Sequence, residues 1–111
     1  MDIAFSDERL RRLCNDSRAL RRRYGADGER KIRQRLDELL AAESLAVIRH
    51  LPAPRCEELK GARKRHLSVR LHGGFRLIFE PQQPTVHKAD GGLDWSATRA
   101  VRVLSIEDYH D

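Results

Sequence analysis

The sequence predicts an α+β fold in which two N-terminal helices pack on one face of a small, mainly antiparallel sheet of four to five strands. Apolar residues recur at helical spacing through the first half of the chain. After the proline-rich break at residues 52–54 the apolar period becomes two, and the Gly73-Gly74 pair marks a hairpin between two apolar runs. At 111 residues the chain has room for one core, so we expect a single domain over residues 1–111.

The N-terminal half predicts a short strand and two helices. An apolar segment at residues 3–5 precedes Ser6 and Asp7, either of which can cap a helix. Gly25 is expected to end the first helix, because glycine takes the left-handed conformation after a helix without penalty, and Asp27 can cap the second. The apolar stripes of the two helices comprise Leu10, Leu13, Cys14, Leu20 and Tyr24, then Ile32, Leu36, Leu39 and Leu40.

The C-terminal half predicts the sheet. A short helical turn is expected within residues 42–51. Alternation over residues 67–72 predicts a half-buried strand, residues 75–79 are apolar enough for a central strand, and residues 100–106 predict the last strand. The polar residues 82–98 predict a long connection. Because two helices cover one face of the sheet, the other face is expected to be wet or functional and to carry much of the basic segment.

The charge distribution favours a polyanionic partner. The formal net charge is +5, and residues 55–76 carry seven basic side chains against two acidic ones. A nucleic acid or an acidic protein would suit this balance. A charge run alone is more often a solvated face than a binding site, so Arg21, Arg22 and Arg23 predict a solvated helix face, with a secondary RNA contact as the alternative.

The sequence predicts neither a metalloprotein, nor a membrane protein, nor a protein with a signal peptide. Cys14 and Cys56 form no CxxC pair, and the histidines show no metal-binding spacing, so we expect no metal and no other cofactor. No apolar run approaches the ~18 residues that a membrane-spanning helix needs, and the N-terminus does not resemble a signal peptide. A reduced, cytoplasmic protein without membrane contact is expected.

Four sequence blocks, taken in order, resemble one known family. They are ELKG-x-RK at residues 58–64, LSVR at residues 67–70, FRLIFE at residues 75–80 and the closing DYH at residues 108–110. The chain resembles the HigB-like toxins of the RelE/ParE superfamily of bacterial toxin–antitoxin systems. The resemblance covers nearly the whole chain apart from residues 82–98.

The resemblance implies a RelE-like fold and a type II toxin that is a ribosome-dependent endoribonuclease, an mRNA interferase that acts in the decoding site. It also implies a cognate antitoxin, usually a helix-turn-helix DNA-binding protein that neutralises the toxin. Toxin and antitoxin together typically repress their own operon, so the toxin would reach operator DNA only through the antitoxin.

The resemblance also implies site residues. Lys60 matches the family's functional lysine, Arg76 matches the arginine of the central strand, and Asp108, Tyr109 and His110 match the C-terminal catalytic group. This sequence departs from the family pattern at four positions. Glu57, Ala62, Arg65 and His72 stand where relatives often have His, Asp, Gly and Asn respectively.

These residue types suit RNA cleavage without a metal. The 2′-hydroxyl is the nucleophile, so the enzyme must remove its proton, stabilise the charged transition state and protonate the leaving oxygen. We hypothesise that His110 is the general acid or base, that Asp108 orients it or polarises the hydroxyl, and that Tyr109 stacks on a base or donates to a phosphate. Lys60, Arg63 and Arg76 would stabilise the transition state. The expected RNA-binding set is Arg63, Lys64, Arg65, His66, Arg70 and His72.

Alternatives remain open at this point. Arg76 lies in an apolar strand, where an arginine is costly unless it is paired or solvated, so a salt bridge to Glu57 or Glu80 is the structural alternative. A ParE-like toxin would share the fold and act on DNA gyrase; the terminal DYH together with Lys60 argues against it. A non-catalytic basic module that binds RNA or the ribosome is the other alternative, and Glu57 in place of histidine favours it.

Overall fold

The computed structural model describes residues 1–82 and 87–109, and it forms three helices and a five-stranded sheet. In chain order the elements are β1 (Asp2–Phe5), α1 (Glu8–Cys14), α2 (Ser17–Ala41), α3 (Leu45–His50), β2 (Glu57–Glu58), a 3₁₀ turn (Gly61–Arg63), β3 (Leu67–Arg70), β4 (Phe75–Pro81) and β5 (Ala100–Asp108). The strand order is β1-β5-β4-β3-β2; β1 is parallel to β5 and the other pairs are antiparallel. The α+β class and the mainly antiparallel sheet are confirmed.

The helical layer has one boundary that the sequence did not predict. The first helix was expected to continue to Gly25, but α1 ends at Cys14 and α2 begins at Ser17. Asp16 causes this break, because its side chain accepts a hydrogen bond from the Ala19 N–H at 3.1 Å and so caps a new helix. The expected break at Gly25 is present as a kink inside α2, where Gly25 has a φ of 77°.

The core lies between the helices and one face of the sheet. The side chains that fill it are almost fully removed from water, and they come from α2, α3 and alternate positions of β3, β4 and β5. They include Leu20, Ile32, Leu39, Leu45, Ile48, Leu67, Val69, Leu77, Phe79, Val101 and Val103. Alternation along the strands therefore directs the intervening residues to a second face.

The second face is partly covered, which the sequence did not predict. Ser68 and Ile78 pair on this face, and both are buried. Arg63 follows the edge strand β2, yet its guanidinium reaches Glu107 on β5. The segment around the 3₁₀ turn must therefore pass over β3 and β4. The expectation of a wet or functional face holds only for the parts that this segment leaves exposed.

The described part of the connection between β4 and β5 is hydrogen-bonded to α3. The Leu45 N–H donates to the Thr98 carbonyl at 2.9 Å, and the Ala46 N–H donates to the Trp95 carbonyl at 3.2 Å. The Arg49 guanidinium lies 4.6 Å from the centroid of the Trp95 ring. Of the predicted connection, residues 83–86 lie outside the described residues. None of the helices within the described ranges has the length and apolar character needed to cross a membrane.

Gly28 offers a stability test of the contact between α2 and the β3–β4 hairpin. A methyl group at this position would lie 2.8 Å from Cε1 of His72 and 2.5 Å from Cβ of Tyr24, too close for either neighbour. We expect Gly28→Ala to destabilise the fold by about 1–3 kcal/mol, although alanine is ordinarily the better helix residue by about 1 kcal/mol. Urea unfolding measures the change, and a gain in stability would show that His72 does not pack on α2.

Candidate functional site

Three side chains from distant parts of the chain meet at one end of the second face. Arg76 of β4 is 6% exposed, and its Nη1 lies 3.8 Å from Oε1 of Glu57, whose side chain is 51% exposed. The Arg76 guanidinium carbon lies 5.9 Å from the centroid of the Tyr109 ring. A buried cation thus lies beside a half-exposed carboxylate and an aromatic ring, an arrangement that can bind a phosphate and a base.

Strand register explains why these residues meet. Arg76 pairs with Glu107, and the chain remains attached to the sheet after β5 because the Tyr109 N–H donates to the Gly74 carbonyl at 2.9 Å. Tyr109 is two residues beyond Glu107, so it lies on the same face as Arg76. Asp108 pairs with Phe75 instead, and alternation directs it towards the helical side.

A second cluster fixes the 3₁₀ turn on this face. Arg63 donates to both carboxylate oxygens of Glu107, with Nη1 2.8 Å from Oε1. The Ser105 hydroxyl donates to Oε2 of Glu107 at 2.6 Å. The hydrogen bonds from Arg63 hold the pKa of Glu107 below its usual value despite partial burial, and Ser105 and His66 add to this effect. The same pair raises the pKa of Arg63, so both groups are charged at neutral pH.

The salt-bridge alternative for Arg76 is confirmed with Glu57 as the partner. Glu80, the other candidate partner, pairs instead with Arg102 at 3.0 Å. Arg63 is engaged by Glu107, which the sequence did not predict. Arg70 is the register partner of Arg76 on β3, so two arginines lie side by side on the second face.

The remaining predicted site residues have different surroundings. Lys60 is exposed and immediately precedes the 3₁₀ turn, and Lys64, Arg65 and Arg70 are exposed as well. Nδ1 of His66 is buried and has no hydrogen-bond partner within residues 1–82 and 87–109. His110, the expected acid or base, lies outside the described residues.

His72 belongs to the packing between α2 and the hairpin. Its ring stacks on Phe75 at 4.7 Å between centroids and lies edge-on to Tyr24 at 5.9 Å. These contacts give His72 a structural role. Its contact with RNA stays a prediction, as do the RNA-binding roles of Arg63, Lys64, Arg65, His66 and Arg70.

The sequence pointed to some of these partners only indirectly. Glu57 was noted as a departure from the family pattern and as a possible partner of Arg76, and not as a site residue. Ser105 and Glu107 were not singled out, although their spacing of two in a predicted strand places both on one face. In the described part of the chain no group of three or more His, Cys, Asp or Glu side chains could hold a metal ion.

Comparison with known proteins decides the family. The sequence matches the family described as the RelE-like toxin of the type II toxin–antitoxin system HigB over residues 3–90, most of its length. The chain belongs to the HigB-like toxin family. It is therefore a toxin of a type II toxin–antitoxin system, and such a toxin has a cognate antitoxin. The match includes Glu57, Lys60 and Arg76, whereas Asp108 and Tyr109 lie beyond its last matched residue.

The remaining comparisons concern the fold. A solved structure of a YoeB/ParE toxin from Agrobacterium tumefaciens superposes on this toxin with a TM-score of 0.55, covering 100% of both chains at 14% sequence identity. At that identity the similarity shows a shared fold and nothing finer. None of the curated proteins matches the sequence.

The Arg63–Glu107 pair predicts a pH-dependent stability. Because the folded pKa of Glu107 is depressed, the contribution of the pair is present above the unfolded pKa of about 4.3 and is lost as the pH falls through the lower folded value. Both side chains are about one-third exposed, so solvent screening limits the effect to about 1 kcal/mol.

We therefore expect Glu107→Gln to be less stable than wild type at pH 7, with a gap that narrows as the pH falls below about 4.3. Thermal unfolding across this range measures the difference. A gap that stays constant down to pH 3 would show that the charge of Glu107 is not its source.

Proposed function

We propose that this HigB-like toxin is an endoribonuclease that cleaves messenger RNA on the ribosome, using the 2′-hydroxyl of the RNA as nucleophile and no metal ion. The observation that carries the proposal is the buried Arg76 guanidinium held between the Glu57 carboxylate and the Tyr109 ring. Membership of a toxin family supports the toxic role, and this geometry supports the chemistry.

Glu57 is the general base in this proposal. Its carboxylate is half exposed, so RNA can reach it, and it lies 3.8 Å from the Arg76 guanidinium that would bind the phosphate. The 2′-oxygen attacks the adjacent phosphorus as its proton passes to Glu57. The bond from phosphorus to the 5′-oxygen then breaks, and that oxygen takes a proton from a general acid. His110 is proposed as this acid, and Asp108, on the other side of β5 from Arg76, is proposed to orient His110 from there.

Arg76 stabilises the transition state. The negative charge on the non-bridging oxygens increases as the phosphorus becomes five-coordinate, and a pre-positioned guanidinium can donate to two of these oxygens. Burial strengthens this interaction, because little water screens it. Tyr109, next to the guanidinium, stacks on a base flanking the cleaved bond.

The exposed cations beside the site bind the phosphate backbone in this proposal. Arg63 has a different role, because its hydrogen bonds to Glu107 hold the 3₁₀ turn, which directly follows Lys60, on the second face. The contacts between the exposed cations and RNA phosphates do not depend on RNA sequence. They are proposed for the exposed Lys60, Lys64, Arg65 and Arg70, and a contact with RNA is proposed for the partly buried His66 as well.

The cognate antitoxin is proposed to be a helix-turn-helix protein through which the toxin reaches operator DNA. Since the proposed substrate is a translated message, we propose that the toxin acts in the cytoplasm.

Induced expression in a bacterium tests the reaction. Primer extension on an abundant transcript should map new 5′ ends in frame with the coding sequence, present with wild type and absent with Arg76→Ala. The ends should disappear when translation is blocked before induction. Growth arrest with intact transcripts and reduced DNA supercoiling would overturn the proposal and indicate gyrase as the target.

A further inference from the structure

The first half of α2 carries a cluster of exposed arginines. Arg18, Arg21 and Arg22 are exposed, and no described residue forms an ion pair with any of them. The chain has no Asp or Glu from residue 17 to residue 26. We call Arg18, Arg21 and Arg22 the α2 arginine patch. Their spacings of three and four place them on one flank of the helix, where like charges repel.

Three arginines of the second face are neutralised by carboxylates. Arg63 is paired with Glu107, Arg76 with Glu57 and Arg102 with Glu80. The basic residues 55–76 were expected to supply the RNA-binding charge, but two of their arginines are engaged in ion pairs. The α2 arginine patch therefore contributes a large uncompensated part of the net charge.

The patch lies towards the end of the molecule that carries the proposed site. Tyr24, two residues after Arg22, contacts Phe75 edge-on at 5.6 Å between ring centroids. The same β3–β4 hairpin carries Gly74, whose carbonyl accepts the Tyr109 N–H. A strand bound at Arg76 and Tyr109 can therefore continue past the hairpin towards α2.

The composition of the patch favours a nucleic acid over a protein partner. Protein interfaces usually have an apolar centre, but the large exposed hydrophobic side chains of the described residues are Leu40, Val47 and Leu51, all outside the patch. Three guanidiniums within about one helical turn of 5.4 Å suit consecutive phosphates. We propose that the α2 arginine patch binds the phosphate backbone of single-stranded RNA, which deepens the proposed function by adding a second RNA-binding surface.

Direct binding tests this surface without depending on cleavage. The probe is a 16-nucleotide RNA with 2′-O-methyl groups, which cannot be cut by the proposed chemistry, and fluorescence anisotropy is read from low to moderate salt. The test variant is R18Q/R21Q/R22Q. The matched control is R11Q/R30Q/R102Q, which removes the same number of charges from arginines that are already ion-paired.

The test variant should bind about tenfold more weakly at low salt, and its slope of log K against log salt should flatten by about 2, since each phosphate contact on a single strand contributes about 0.7. The control should change affinity by less than about threefold. Equal losses in the two variants would overturn the proposal, because they would reflect net charge alone. Unchanged affinity together with lowered thermal stability would also overturn it, and would show that the arginines serve the helix end at Gly25.

Poly-glutamate serves as the probe for an acidic protein partner. If the test variant loses affinity for poly-glutamate and keeps its affinity for RNA, the RNA proposal is overturned. If RNA binding depends on the patch while the wild-type toxin cuts no message, this inference stands and the proposed function falls.

Discussion

Replacing Arg76 with alanine is expected to reduce RNA cleavage by about 10²–10³-fold, the usual effect of removing one donor that stabilises a charged transition state. The guanidinium is buried beside the proposed scissile position and is held there by Glu57. Arg76→Lys should recover only part of the rate, because an ammonium keeps the charge but cannot donate to two phosphate oxygens in one plane.

The matched control for Arg76 is Arg102→Ala. Arg102 also lies on the second face and pairs with a glutamate, but it is exposed and is not placed in the site. Single-turnover cleavage by purified toxin on programmed ribosomes measures both variants, with urea unfolding to show that each is folded. A folded Arg76→Ala variant that cleaves at the wild-type rate would remove Arg76 from the mechanism.

Replacing Glu57 with glutamine is expected to slow cleavage by about 10²–10³-fold, because an amide cannot accept the 2′-hydroxyl proton. Stability should change little, since the side chain is half exposed. Glu58→Gln is the matched control: it is the next residue of β2, is also exposed, and lies on the opposite side of the strand by alternation. Equal rates for Glu57→Gln and wild type would mean that another group takes the proton.

Glu57→His tests the proton-transfer role of position 57 in a second way. Relatives often carry histidine at this position. The variant should retain activity, with the acidic limb of its pH–rate profile moved to about pH 6.5, the ordinary pKa of histidine. Measuring the rate from pH 5 to pH 8 tests this directly. A profile identical to that of the wild type would argue against a proton-transfer role at position 57.

Local signals predicted most of the fold. Gly25, the Gly73-Gly74 turn and the mainly apolar central strand each act over a few residues, and each corresponds to a feature of the structure. The break at Asp16 was missed because the apolar spacing continues across it, and only the cap shows where the new helix begins. The strand β2 consists of two exposed glutamates, so no apolar pattern could reveal it.

The site was harder to predict because its contacts are distant in sequence. The Arg63–Glu107 pair spans 44 residues, and no periodicity specifies which carboxylate an arginine will reach. The partner of Arg76 could be narrowed to two glutamates from the cost of burying an unpaired cation, but choosing between them required the path of the chain over the sheet. The position of Tyr109 beside Arg76 follows from register, which a sequence pattern alone does not fix.

The most direct test of the central claim uses a message with a single 2′-deoxy nucleotide at a mapped cleavage position, translated in a reconstituted system with purified toxin. We expect the all-ribose message to be cut at that position to leave a 2′,3′-cyclic phosphate, and the deoxy message to stay intact there while cleavage elsewhere continues. Equal cleavage of both messages would contradict it, because the 2′-hydroxyl could then not be the nucleophile.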